Sequence, residues 1–260
     1  MSFAQLRNAR IHYELNGAAE APVLVFSNSL GANLSMWGPQ LAPLGKQFRV
    51  LRYDTRGHGQ SAVTPGPYSI EQLAGDILEL LDTLRLDRVH FCGLSMGGQT
   101  GMSIALTAPS RLHKLILCNT AAKIGSPEMW NTRIEQVRKG GMKSISGAVI
   151  ERWLSKEHRA KYPEVTATTQ RMLESANPDG YVANCAAVRD FDARETIGKI
   201  RVPTLVIAGT HDAATTPADG RYTTQQIPGA RYTELNAAHL SNIEARDHFN
   251  SEVSTFLLSQ

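Results

Sequence analysis

Gly93-Leu94-Ser95-Met96-Gly97 constrains this chain more than any other stretch. An apolar run, Arg88 to Cys92, precedes it and reads as a buried strand; Met96 to Leu106 follows and reads as a helix. A strand that turns at once into a helix forces the central residue into a strained backbone, which lifts the Ser95 hydroxyl above the sheet edge. Gly93 and Gly97 lack the Cβ atoms that would collide as strand and helix fold together. The first N–H groups of the helix then face the space over Ser95, where an anion can be held. The same spacing also arises as a glycine-rich turn with an incidental serine. Agreement of strand, motif and helix favours a nucleophile.

A chain of 260 residues buries a full core without metal or disulfide staples, as one domain with room for an insertion. Net charge is +3, with lysines and arginines scattered, so nucleic acid is not an expected partner. The slight positive balance suits an acidic small substrate. Cys92, Cys118 and Cys185 show no paired spacing and read as free thiols in a reducing cytoplasm. The first ten residues carry no apolar signal segment, and no apolar run is long enough to span a bilayer. A soluble, cytoplasmic protein is expected; composition leaves its oligomeric state open.

Strand and helix signals alternate along the first half. Ile11–Leu15 alternates and ends at Asn16-Gly17, one arm of an N-terminal hairpin. Pro22–Phe26 is a continuous apolar run, typical of a parallel strand covered on both faces; Phe48–Asp54 reads as another such strand, and Leu112–Cys118 as the strand after the Ser95 helix. Ser69-Ile-Glu-Gln72 reads as a capping box opening a helix whose apolar face is Leu73, Ile77, Leu80, Leu81 and Leu84. From Ala122 to Asp190 strand signals cease and helical segments dominate, broken by Gly140-Gly141, Pro163 and Asn177-Pro178. The core rhythm returns at Pro203–Ala208, with a helix near Pro217–Gln226, a strand at Arg231–Leu235 and a terminal helix from about Glu244 to Leu258. The expected fold is α/β: a mainly parallel twisted sheet with helices on both faces. Residues 1–121 and 191–260 form its core, and 122–190 an inserted helical cap.

A serine hydroxyl needs a positioned base, usually histidine. Of eight histidines, His12, His90 and His113 sit in strand-like runs, His248 lies in the terminal helix, and His158 lies in a charged stretch expected to be solvated. His58, in the glycine-rich loop Asp54–Ser61, competes with His239, in Asn236-Ala-Ala-His-Leu240 between a strand and a helix. His239 is favoured because its small neighbours leave room for substrate. The imidazole needs a carboxylate on Nδ1. Asp212, just past an apolar strand, is favoured over Asp54, since Ser95, Asp212 and His239 then run in the order of α/β-hydrolases. The second oxyanion donor should come from Ser27–Ala32, where Asn28-Ser29 replaces the usual His-Gly; the backbone N–H of Leu30 is assigned, paired with that of Met96.

Asp54-x-Arg-Gly-x-Gly-x-Ser61, the Ser95 turn, Gly209-x-x-Asp212 and His239 together resemble the α/β-hydrolase superfamily over nearly the whole chain. Ser27–Gly31 with Met36-Trp37, Gly93–Gly98 and Trp130–Arg133 further resemble the 3-oxoadipate enol-lactonase family. That resemblance implies opening of an anionic lactone to 3-oxoadipate in protocatechuate and catechol breakdown, through an acyl-enzyme and without metal or organic cofactor. Ser95 in place of aspartate sets the chain apart from branches with a carboxylate nucleophile. In the cap, Ser126-Pro127 starts a helix with Trp130, Ile134 and Val137 on one face and Arg133 at its edge. Arg133 either snorkels to water or binds the lactone carboxylate; the resemblance favours substrate binding, with Trp130 beside it. Rival readings are a carbon–carbon bond hydrolase of ring-cleavage products, a general carboxylesterase, and a ligand receptor built on the hydrolase fold.

Overall fold

The computed structural model describes residues 2–259. Among these residues eight strands, β1 (Ser2–Gln5), β2 (Arg10–Asn16), β3 (Val23–Ser27), β4 (Arg49–Tyr53), β5 (Val89–Leu94), β6 (Leu112–Cys118), β7 (Thr204–Gly209) and β8 (Arg231–Leu235), form one sheet in the order β1-β2-β4-β3-β5-β6-β7-β8. Pairing is antiparallel at β1/β2 and β2/β4 and parallel elsewhere. Every residue of β5 and β7 is buried, which is why these strands are mainly apolar, with His90 and Thr204 as their buried polar members.

Among the described residues, eleven α-helices accompany the sheet. They are α1 (Gly38–Leu44), α2 (Ile70–Thr83), α3 (Met96–Thr107), α4 (Pro127–Gly140), α5 (Lys143–Trp153), α6 (Lys156–Lys161), α7 (Pro163–Glu174), α8 (Pro178–Asp190), α9 (Pro217–Gln226), α10 (Ser241–Glu244) and α11 (Arg246–Leu258). Local chemistry sets their starts. Ser69 Oγ accepts the Gln72 N–H ahead of α2, Ser126 Oγ accepts the Met129 N–H ahead of α4, and Thr216 with Asp219 closes a full capping box on α9. The α2 face buries Leu73, Ile77, Leu80 and Leu81 as expected, while Leu84 is only partly covered. Helices α4 to α8 occupy the strandless stretch after Ala122. The Ala193 N–H donates to the Ala122 carbonyl at 2.9 Å, so the two ends of that stretch lie side by side.

Three expectations need correction. The hairpin arm at Ile11–Leu15 pairs backwards, with β1, through the turn closed by Leu6 N–H on Ala9 O; Asn16-Gly17 is not its turn, because β2 pairs on its other side with β4. The terminal helix begins at Arg246, after the separate short turn α10. His158 is buried rather than solvated, and burial pushes its pKa below the usual histidine range.

Candidate active site

The sharp turn after β5 is realised. Ser95 adopts φ 58° and ψ −115°, in a region that a β-carbon disfavours. Three hydrogen bonds hold it there: its N–H donates to Cys118 O at 2.9 Å, and its carbonyl accepts from Gln99 N–H at 3.1 Å and Thr120 Oγ1 at 2.7 Å. The glycines act as expected. A Cβ on Gly93 would lie 2.1 Å from Gly97 O, and one on Gly97 would lie 2.2 Å from Ser27 O. The first contact lets strand and helix meet; the second brings β3 and its following loop against α3.

Asp212 and His239 follow β7 and β8, so all three residues sit beyond the C-terminal ends of parallel strands, where open α/β sheets gather their ligands. His239 Nδ1 lies 2.8 Å from Asp212 Oδ2. The same oxygen accepts from Asn119 Nδ2 at 2.9 Å and Thr215 Oγ1 at 2.8 Å, while Oδ1 accepts the N–H groups of Ala214 and Thr215 at 2.8 and 3.0 Å. Burial pushes the Asp212 carboxyl up, but His239, Asn119 and the Thr215 N–H outweigh it and hold it at about 2. An ionised carboxylate on Nδ1 fixes the proton there and leaves Nε2 free to act as a base.

The rival pair serves other purposes. Asp54 accepts from His12 Nδ1 at 2.7 Å and from the N–H groups of Leu34 and Gln60, both at 2.8 Å. His58 is 1% exposed, and its Nε2 accepts the Gly31 N–H at 2.8 Å. Asn28, standing where esterases often carry histidine, is structural: its Oδ1 accepts from Trp37 Nε1 at 2.9 Å and its Nδ2 donates to Tyr53 O at 2.8 Å. The N–H of Gly97 donates to Asn28 O at 3.0 Å, and that of Gly31 to His58. The adjoining N–H groups of Leu30 and Met96 take no partner among the described residues, as donors reserved for an anion should.

Ser95, His239 and Leu30 open into one cavity of about 110 Å³. Its roof comes from the strandless stretch: Trp130 and Arg133 of α4, Val149, Arg152 and Trp153 of α5, and Tyr181 of α8. Trp130 Nε1 donates to Ile124 O at 2.7 Å, which fixes the ring. Arg133 lies 6.0 Å from that ring and donates from Nη1 to Tyr181 Oη at 3.2 Å. Among the described residues no three His, Cys, Asp or Glu side chains gather as a metal site.

Residues 22–246 match the family described as alpha/beta hydrolase fold. The chain is an alpha/beta hydrolase. It is 39% identical to 3-oxoadipate enol-lactonase 2 of Acinetobacter baylyi over 96% of this chain and 94% of that one. The solved enol-lactonase from Burkholderia xenovorans LB400 shares 48% identity with a TM-score of 0.98, covering 99% of this chain and 100% of that one. A hydrolase from Pseudomonas aeruginosa PA01 follows at 42% identity and a TM-score of 0.96, covering 99% and 98%.

Two features of this hydrolase lie beyond the sequence reading. Arg152 and Tyr181 join the cavity although nothing in their local spacing marks them, and Trp153 joins it from the end of the α5 apolar stripe. The second is a clamp between α5 and the histidine loop. His239 N–H approaches Arg152 O at 3.4 Å, and Leu240 N–H donates to Trp153 O at 2.9 Å. One Glu244 oxygen accepts both the Ala238 N–H at 3.1 Å and the Ser155 N–H at 3.0 Å. No helix among the described residues is long and apolar enough to cross a membrane.

Proposed function

We propose that this enzyme hydrolyses 3-oxoadipate enol-lactone to 3-oxoadipate, in the breakdown of protocatechuate or catechol. The observation that carries the reading is one cavity holding Ser95, a histidine oriented by a carboxylate, and the guanidinium of Arg133. The enol-lactonases of Acinetobacter and Burkholderia, similar over nearly their full lengths, support it.

In this mechanism Ser95 Oγ attacks the lactone carbonyl while His239 Nε2 takes its proton and Asp212 stabilises the imidazolium. The N–H groups of Leu30 and Met96 hold the tetrahedral oxyanion. Collapse breaks the ring C–O bond as the His239 imidazolium gives its proton to the departing enolate oxygen. The leaving group is an enol, which passes to the more stable ketone, so its expulsion is easy, and it stays tethered to the acyl chain. His239 then takes a proton from water, which attacks the acyl-enzyme and frees the acid. Arg133 and Trp130 hold the lactone's own carboxylate and its carbon frame.

Residues 122–190 serve as the cap that gives this cavity its roof, set on a core of residues 1–121 and 191–260. The three buried, unpaired cysteines support a reducing compartment, and in this reading the enzyme acts in the cytoplasm on a small anionic molecule. The test is turnover of the purified enzyme on the enol-lactone, beside the Ser95→Ala variant. The variant should lose at least about a thousandfold in kcat with an unchanged melting temperature. Near-normal turnover by Ser95→Ala, or a wild type that spares the lactone while cleaving neutral esters, would sink the reading.

A further inference from the structure

The cavity over Ser95 holds a second guanidinium that the mechanism above leaves unused. Arg152, in the last turn of α5, lines it together with Arg133, and among the described residues no Asp or Glu side chain lines the same space. Other sheltered arginines of the protein have carboxylate partners: Arg56 with Asp76, Arg52 with Glu14, Arg111 with Asp82. Arg133 and Arg152 make no ion pair among the described residues. Arg133 donates to the neutral Tyr181 hydroxyl, and Arg152 Nε donates only to Ala148 O of its own helix, at 3.2 Å. Burial, followed by the charge of Arg133, pushes the Arg152 pKa down, the mark of a cation that lacks its counter-charge. Tyr181, whose own pKa burial pushes up, stays a neutral hydroxyl and cannot supply that charge.

Two like charges held partly out of water are unfavourable until an anion joins them. Opening of the lactone makes an anion of the right valence. The substrate is a monoanion; addition of water across its acyl C–O bond gives an open-chain keto-dicarboxylate and releases one proton. We infer that Arg133 and Arg152 together form a dianion site, and that Arg152 is the group by which the cavity distinguishes a dicarboxylate from a monocarboxylate of equal length. The open-chain product is then also a competitive inhibitor. The inference rests on the lactone reading for its biological ligand, but the site itself is defined by charge.

Adipate and hexanoate, dicarboxylate and monocarboxylate of the same chain length, are the probes. Their binding is measured by calorimetry on the wild type, Arg152→Ala and Arg152→Lys. Adipate should bind the wild type about ten- to a hundredfold more tightly than hexanoate, the usual worth of one charge-assisted contact. Arg152→Ala should bring adipate down to the level of hexanoate and leave hexanoate nearly unchanged. Arg152→Lys should keep part of the preference, since it retains the charge without the planar fork. Added salt should shrink the difference. Equal binding of the two acids to the wild type, no measurable adipate binding, or an equal loss of both in Arg152→Ala would overturn the inference. Binding is read without turnover, so a protein that prefers adipate but spares the lactone refutes only the substrate assignment. One that opens the lactone but binds both acids alike refutes only the dianion site.

Discussion

His58 should make this enzyme lose stability in mild acid, and the loss can be traced to one nitrogen. Its Nε2 accepts the Gly31 N–H at 2.8 Å, while its Nδ1 side meets the Arg56 carbonyl and the Asn184 amide. The proton therefore sits on Nδ1, and a second one would set a charged N–H against the Gly31 N–H in a fully buried site. Burial lowers the His58 pKa from 6.5 to about 4, against the weaker upward pull of the Arg56 carbonyl and Asp54. Because the folded pKa lies below the unfolded one, the unfolded chain binds more protons between these values. The contribution is fully present above pH 6.5 and is lost as pH falls toward about 4. A displacement of that size corresponds to about 3 kcal/mol, a sizeable part of the roughly 5–15 kcal/mol that hold a domain together. The assay is urea unfolding of the wild type and His58→Gln from neutral pH down to acid. The glutamine carbonyl can still accept the Gly31 N–H but does not titrate. The wild-type curve should fall about 3 kcal/mol further than the variant's over this window. His90, lowered to about 4 by burial and the neighbouring His113, Lys114 and Arg88, supplies a fall common to both proteins. Parallel curves would refute the reasoning.

Arg133→Ala should cut kcat/KM for the carboxylated lactone about ten- to a hundredfold and barely touch a neutral ester; equal losses on both would make Arg133 a packing group. Glu244→Ala leaves the Ala238 and Ser155 N–H groups without their acceptor. It should cost about 1–3 kcal/mol in urea unfolding and lower kcat more than it changes KM, with Glu244→Gln restoring most of both; an unchanged kcat would show that the carboxylate does not position the histidine loop.

Most of the core was legible because its signals are local. β5 and β7 are buried along their whole length, so each is mainly apolar, His90 and Thr204 apart. The turn at Ser95 must carry glycine at two positions, since at each a Cβ would meet backbone, which cannot swing aside as a side chain can. Asp212 and His239 were recoverable because they lie directly after strands and follow Ser95 in a fixed order. Their pairing distance and the five donors around Asp212 were not, since Asn119 comes from β6's far end and has no motif of its own. Likewise β2 gave its own existence through alternation but not its partner, because both of its neighbours offer a compatible edge.

The cap side was legible only where a helix declares its own face. In α4 the stripe of Trp130, Ile134 and Val137 placed Arg133 at the edge of the buried side, and the structure puts it in the cavity. Helix α5 has a comparable stripe, Ile145, Val149 and Trp153, yet Arg152 lies in its last turn, where a cation is ordinarily explained by the helix dipole and water. What changes its meaning is docking of the α5 end onto the histidine loop, a contact between segments far apart in the chain. The carbonyl of Arg152 faces the His239 N–H while its side chain lines the cavity. The residue that helps seat the base therefore also brings positive charge to the substrate. A shift of α5 would alter both at once, so variants at the end of this helix should change rate and anion preference together rather than separately.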